Sequence, residues 1–365
     1  MRAAAILLSL ILVAAPALAS PIGFIVTPLA SDQSDPHLTN PWGLASSPTS
    51  PFWIGANHSG LAVLYSGAGV QNALAVTIPG DGSVTGVVFN AAFASSFNGD
   101  PFLFASEDGT VSGWRGALGT SAETLQTADP DNVYKGMTMA STGGHEYAYL
   151  ADFRAGEIDV MRGDALAPNL TGHFLDPSLP AGYAPFDIQN LNGLLYVTYA
   201  LQDASGRDDQ SGAGHGFVDV FDLNGNLIRR LVSNGVLNSP WGLAIAPAGF
   251  GDVGGSLLVG NFGDGHINAF DPATGAFIET LLGTNNQPLT IDGLWGLRFG
   301  NAGNNGTPLD LYFTAGPNSE AGGLFGVINA TGQSTPPGVV PEPATIALVG
   351  GGLLAALRRR GRVTS

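Results

Sequence analysis

The chain has 365 residues, of which 44% are hydrophobic and only 12% charged, with 53 glycines, 24 prolines and no cysteine. That length holds two ordinary domains or one large all-β domain. The abundance of turn formers and the lack of Glu and Lys at helical spacing favour the second, while the missing cysteines exclude a disulfide framework and a thiolate metal site. The formal charge is −16; five of the 13 basic residues (Arg2, Arg358, Arg359, Arg360 and Arg362) but only one of the 29 acidic residues (Glu342) stand at the two ends. The middle is therefore strongly acidic, which repels nucleic-acid phosphates and anionic lipids and argues against nucleic-acid binding.

Residues 1–19 read as a signal peptide. Met1-Arg2 gives a positive start, Ala3 to Ala15 is apolar, and Ala17-Leu18-Ala19 places small residues where a signal peptidase cuts, with Ser20 as the mature start. The run is too short for a typical membrane span.

From residue 20 to 331 an apolar strand behind a polar cap returns six times. Its starts are Trp42-Gly43-Leu44, Thr85-Gly86-Val87, Lys135-Gly136-Met137, Pro185-Phe186-Asp187, Trp241-Gly242-Leu243 and Trp295-Gly296-Leu297. Each is followed by a second apolar strand, a polar Gly-containing turn and a third strand. The clearest unit, from Ser239 to Leu282, shows a fourth strand as well. Repeats near 50 residues built from several short strands predict an all-β, six-bladed β-propeller of four-stranded antiparallel blades. The sixth repeat runs out near Ile328 without a fourth strand, and Ile22 to Val26 is expected to supply it, so that the N-terminal strand closes the ring.

Catalytic signatures are scarce. There is no Gly-x-Ser-x-Gly elbow, His-Glu-x-x-His helix or Walker loop, and Gly249 to Gly254, which formally fits a dinucleotide fingerprint, joins two strands of one blade. The six histidines are scattered singly. In a propeller the turn after each second strand opens at the channel mouth, where residues of different blades converge. The oxygen-bearing residues expected there are Asn57, Glu107, Asp108, Asp152, Asp203, Asp208, Asp209, Asn261, Asp264 and Asp292. Such a ring suits Ca²⁺, which takes six to eight oxygen ligands; the competing reading is that Asp and Asn simply cap their own turns. The longest of these turns, Gln202 to Gly216, holds three carboxylates, Arg207 and His215 and is the candidate lid or metal loop. Trp42, Trp241 and Trp295 stand at equivalent repeat positions, where packing between blades competes with stacking on sugar rings.

After a Pro-, Ser- and Thr-rich linker at 332–338, residues 339–365 hold Pro341-Glu342-Pro343, the apolar run Ala344 to Leu357 and Arg358-Arg359-Arg360-Gly361-Arg362. This order resembles the PEP-CTERM sorting tail of Gram-negative bacteria. The resemblance implies recognition by an exosortase-type membrane protease and transient inner-membrane association through the tail. It also implies delivery to the cell surface or the extracellular matrix, in association with exopolysaccharide and biofilm. The core, through Asn40 to Leu44, Glu107 to Trp114, Tyr183 to Asn190, Ser239 to Leu243, Val259 to Gly265 and Leu311 to Pro317, resembles an uncharacterised family of secreted bacterial proteins that often carry this tail. In general shape it is similar to NHL-repeat and gluconolactonase-like propellers. Two functions follow as expectations: a binding module for polysaccharide or a surface protein, and a Ca²⁺-dependent hydrolase or lactonase working from the central face.

Overall fold

The computed structural model describes residues 23–331, so the expected signal peptide, linker and sorting tail lie outside the described residues. Six antiparallel sheets follow one another along the chain, and their first strands pack side by side around a common axis, the sixth against the first. The fold is a six-bladed β-propeller. Blade 1 comprises Pro41–Ala45, Phe52–Ala56, Leu61–Tyr65 and Gln71–Thr77, and blade 2 Val84–Phe89, Phe102–Ser106, Val111–Trp114 and Glu123–Gln126. Blade 4 comprises Tyr183–Leu191, Leu194–Leu201, Phe217–Phe221 and Leu227–Ser233, and blade 5 Pro240–Ile245, Leu257–Asn261, Ile267–Phe270 and Phe277–Thr280.

Blade 3 departs from the expected four strands. It has three, Tyr134–Thr142, His145–Asp152 and Glu157–Arg162. The segment that should supply the fourth carries Pro168, Pro177 and Pro180, each of which removes a ladder donor. It crosses instead to blade 4, where Gly172 N and Phe174 N donate to the carbonyls of Asn224 and Gly225 at 2.8 and 2.9 Å. Phe174 is thereby buried between Tyr149 and Phe221.

Blade 6 comprises Leu294–Phe299, Leu311–Ala315 and Leu324–Ala330, and its outermost strand is the N-terminal Phe24–Ser31. The closing strand is longer than expected and begins later, pairing Phe24 with Ala330 and Ser31 with Leu324 across one bulge. Phe24 is buried against Phe250, whereas the next residue, Ile25, faces solvent. Ring closure is thus a non-covalent latch between the two ends of the propeller.

Apolar side chains alternate across the strands into six clusters, one at every blade–blade interface. At the axis the first strands come closer than side chains allow. A Cβ on Gly43 would lie 2.5 Å from the Thr85 carbonyl, one on Gly86 2.9 Å from Met137 N, and one on Gly296 2.8 Å from the Trp42 carbonyl. In all six blades the pairing of first with second strand slips in register at this level. Blade 4 alone places a larger residue in that layer, Asp187. It is fully buried, with Gln189 Nε2 at 3.2 Å as its side-chain partner. Burial pushes its carboxyl well above the ordinary carboxylate range.

Two predictions follow from this architecture. Phe24→Ala should cost about 3 kcal/mol in urea unfolding, the usual loss for a buried phenylalanine, while Ile25→Ala should stay within about 0.5 kcal/mol. Asp187 binds its proton more tightly folded than unfolded. Stability should therefore fall as pH rises above the unfolded value of about 4, by roughly 1.4 kcal/mol per pH unit until the folded group ionises. Asp187→Asn should remove that share of the slope, leaving the shares of Asp100 and Asp219, whose carboxyls burial raises to about 6 and about 7, and unfolding titrations of both proteins across pH 4–8 check it.

Candidate functional site

The channel mouth is built from two stacked rings. The residue after each second strand donates its backbone N–H to a carbonyl just before the first strand of its own blade. The six pairs are Asn57 to Asn40, Glu107 to Ser83, Phe153 to Val133, Gln202 to Gly182, Phe262 to Ser239 and Gly316 to Gly293, all at 2.8–3.0 Å. Four of the accepting residues, Asn40, Gly182, Ser239 and Gly293, have positive φ, which accounts for Gly and Asn at this place. The upper ring is therefore Asn57, Glu107, Phe153, Gln202, Phe262 and Gly316.

Below it, the residue preceding the glycine layer forms a second ring: Trp42, Thr85, Lys135, Phe186, Trp241 and Trp295. Its aromatic members close the channel. Trp42 stacks on Trp295 with centroids 3.5 Å apart, Phe262 stacks on Trp295 at 4.0 Å, and Trp241 meets both indoles edge-on. Trp295 donates Nε1–H to Asn40 Oδ1 and Trp241 to the Lys135 carbonyl, both at 3.1 Å. With these faces covered, the tryptophans pack the blades together.

Lys135 stands where three other blades place tryptophan. It is 2% exposed, and its ammonium lies 5.1 Å from the Trp42 ring centroid. It is in short contact with Glu107 Oε1 and donates to Asp208 Oδ1 at 3.2 Å. The other Glu107 oxygen accepts from Asn57 Nδ2 at 3.2 Å and faces Arg207 Nη2 at 3.7 Å. A buried ammonium needs this much pairing, because an isolated one would cost several kcal/mol.

Above this network opens a polar cavity of about 540 Å³. Asn57 and His58 come from blade 1, Asp81, Ser83 and Glu107 from the blade 2 region, Lys135 from blade 3, Arg207, Asp208 and Asp209 from blade 4, and Ser319 and Glu320 from blade 6. Asp209 is fixed by a short bond from Ser239 Oγ. Glu320 ends a run, Asn318-Ser319-Glu320, with three consecutive left-handed φ values of 59°, 54° and 66°. Left-handed backbone is unfavourable for residues with a Cβ, by about 1 kcal/mol each or more. Here it turns the Glu320 carboxylate inward, where Oε2 accepts from Asn40 Nδ2 at 2.7 Å and burial raises the carboxyl above its ordinary value.

Of the residues expected at the mouth, Glu107, Asp208, Asp209 and Asn57 converge on this cavity. The others hold turns. Asp108 accepts from Asp81 N and Thr110 N. Asp152 is buried and caps Val133, Arg154 and Ala155 N–H groups, its carboxyl raised by burial. Asp203 caps its own loop through Ser205, Arg207 and Asp208, and those bonds lower its carboxyl, the Ser205 side chain first. Asn261 and Asp264 bond to each other in blade 5, and Asp292 accepts from Asn318 N. Within the long 202–216 turn, His215 bonds back to the Gln210 carbonyl. Among the described residues no three His, Asp or Glu side chains are arranged to hold a metal ion.

Sequence reasoning missed Lys135, His58, Asp81, Arg207 as a cavity residue, and Glu320. The signal for Lys135 was present: a cation aligned with Trp42, Trp241 and Trp295 at a repeat position that is otherwise mostly aromatic.

Residues 339–360 match the PEP-CTERM protein-sorting motif. No helix among the described residues is long and apolar enough to cross a membrane. In structure the chain is similar to virginiamycin B lyase from Staphylococcus aureus, with a TM-score of 0.48 and 12% identity over 84% of this chain and 99% of that one. In sequence it is 33% identical over 315 residues to uncharacterized protein R648 of Acanthamoeba polyphaga mimivirus, covering 81% of this chain and 76% of that protein. It is also 33% identical over 316 residues to uncharacterized protein L690 of the same virus, covering 80% of each. Relatedness of that extent takes in most of the propeller, and the chain belongs to one family with these two mimivirus proteins.

Proposed function

We propose that this is an exported β-propeller that binds a polyhydroxylated ligand, a saccharide unit of a surface polysaccharide, in the cavity at the channel mouth. The sorting motif supports export, with a signal peptidase acting at the N-terminus and an exosortase-type protease at the tail, and a surface or matrix address. The observation that carries the binding role is Lys135, a charged residue at a ring position otherwise mostly aromatic, held among Glu107, Asp208 and Arg207 under an open cavity. Sugar hydroxyls both donate and accept. Lys135, Arg207 and Asn57 offer donors, and Glu107, Asp209 and Glu320 offer acceptors, within one enclosure of ligand size. The tryptophans underneath give rigidity, since their faces are already stacked.

The second reading, a Ca²⁺-dependent hydrolase or lactonase, draws on carboxylates from three blades, Glu107, Asp208 and Glu320, lining the same cavity. There a bound metal would polarise a carbonyl. Lys135 stands against it: its ammonium is already paired with Glu107 and Asp208, and a divalent ion between them would have to displace a buried, paired cation.

Calorimetric titration of the full chain against an oligosaccharide panel tests the first reading. Glu107→Gln, which keeps the shape and removes the charge that holds Lys135, should weaken binding by about tenfold, roughly 1.4 kcal/mol. Asp264→Asn, in a turn of blade 5 outside the cavity, should leave it unchanged; equal loss in both, or no saccharide bound, refutes the assignment. Thermal melts with Ca²⁺ and after EDTA separate the second reading. The melting temperature should not move, whereas a site occupied at a hundredfold excess over its Kd would add about 2.7 kcal/mol of stability.

A further inference from the structure

The first strands run from the mouth just described to the opposite end of the channel, and there the ends of blades 4, 5 and 6 enclose a second cavity of about 290 Å³. Its walls combine apolar side chains, Leu191, Leu243, Ile245, Leu297 and Phe299, with the amides of Gln189, Asn190 and Asn192 and one cation, Arg298. Two of these amides are engaged, while Asn192 is exposed. Asn190 donates to the Met139 carbonyl and accepts from Gly193 N, and Gln189 donates to Asp187.

Arg298 belongs with Arg154, Arg162 and Arg229, cations of the described residues that face no carboxylate within 4.0 Å and donate to carbonyl or hydroxyl oxygens instead. Arg115, Lys135, Arg207 and Arg230 each face a carboxylate within 4.0 Å. Among the described residues no carboxylate comes that close to Arg298. Ser46 of blade 1 accepts from it twice, Oγ from Nε and the carbonyl from Nη2, both at 3.3 Å. Those bonds fix the plane of the guanidinium and leave Nη1 without an acceptor among the described residues. Burial lowers the pKa of this group from its usual value, but a guanidinium stays protonated in proteins. A strongly acidic chain has thus set a half-buried positive charge beside apolar side chains, with no carboxylate among the described residues within 4.0 Å; the Asp187 carboxyl, held by Gln189, lines the small void that Arg298 also borders. At the free edge of the guanidinium an anion from outside would gain a charge-assisted hydrogen bond. Inorganic anions are poorly served by five apolar walls. An anion with a hydrocarbon body suits both parts, and the volume is near the lower limit for ligand pockets, about 300 Å³.

We propose that this cavity binds a small amphipathic carboxylate, its head group on the free edge of Arg298 and its hydrocarbon part against Leu243, Ile245, Leu297 and Phe299. The site lies at the far end of the channel from the saccharide seat and does not depend on that assignment.

Octanoate is a suitable probe, titrated calorimetrically into the full chain, with octan-1-ol as the neutral body and acetate as the bare head group. Saturable one-to-one octanoate binding is expected, at least tenfold tighter than either control. Arg298→Gln should weaken octanoate at least tenfold. Because that change also removes the Ser46 contacts, Ile245→Glu serves as a second variant. It keeps Arg298 and brings a carboxylate to the cavity wall, and it should suppress binding to a similar degree. Octanoate binding that survives both substitutions, octan-1-ol binding as tightly as octanoate, acetate matching octanoate, or no saturable binding would each overturn the proposal.

Discussion

The propeller depends on how closely its six innermost strands approach one another. Backbone meets backbone at the axis, and a single added Cβ at Gly43, Gly86 or Gly296 would strike the neighbouring strand. Glycine is costly inside a strand because it packs nothing and loses the most conformational freedom. Its repeated use at one level is repaid by letting six short sheets close into a ring whose flanks each bury an apolar cluster. The register slip at the same level in every blade follows from this geometry. A bulge increases local twist and re-aims the residue beside it, and here that residue is swung toward the channel mouth.

The functional asymmetry arises from what occupies that swung position. Three tryptophans and a phenylalanine there would make a closed aromatic plug and nothing more. Lys135 changes the balance, because a buried ammonium must be surrounded by acceptors, and those acceptors have to come from other blades. Glu107 arrives from the turn of blade 2 and Asp208 from the long turn of blade 4. One residue thus ties the extended loop of blade 4 back over the mouth, while on the opposite wall a left-handed run and Asn40 hold Glu320 inward.

The blades were legible in the sequence because Trp-Gly-Leu and its variants mark a place where geometry permits few alternatives. The missing strand of blade 3 was not, since apolar content alone does not reveal that Pro168, Pro177 and Pro180 divert the chain to blade 4. Aspartate in a Gly turn is ambiguous for a physical reason. The same carboxylate that can face a ligand can accept its own backbone N–H groups, and Asp152, Asp203 and Asp264 do the latter. Glu107 could be singled out in principle: its longer side chain sits before the turn's capping residue, Asp108, and is free to reach the axis.

The two cavities open at opposite ends of one channel, yet the material between them separates their chemistry. The stacked indoles seal the upper end, the glycine layer narrows the passage, and the buried Asp187 carboxyl lies at that level. A void of about 20 Å³ lies at this level, room for little more than one water molecule. A ligand at either end therefore meets a fixed wall rather than a continuous pore. The upper wall carries paired charges under a polar enclosure and the lower one a guanidinium held by Ser46, with no carboxylate among the described residues within 4.0 Å, beside aliphatic side chains and amides. The rigidity that the glycine layer imposes is what lets one small ring keep two environments so different within the length of a single strand.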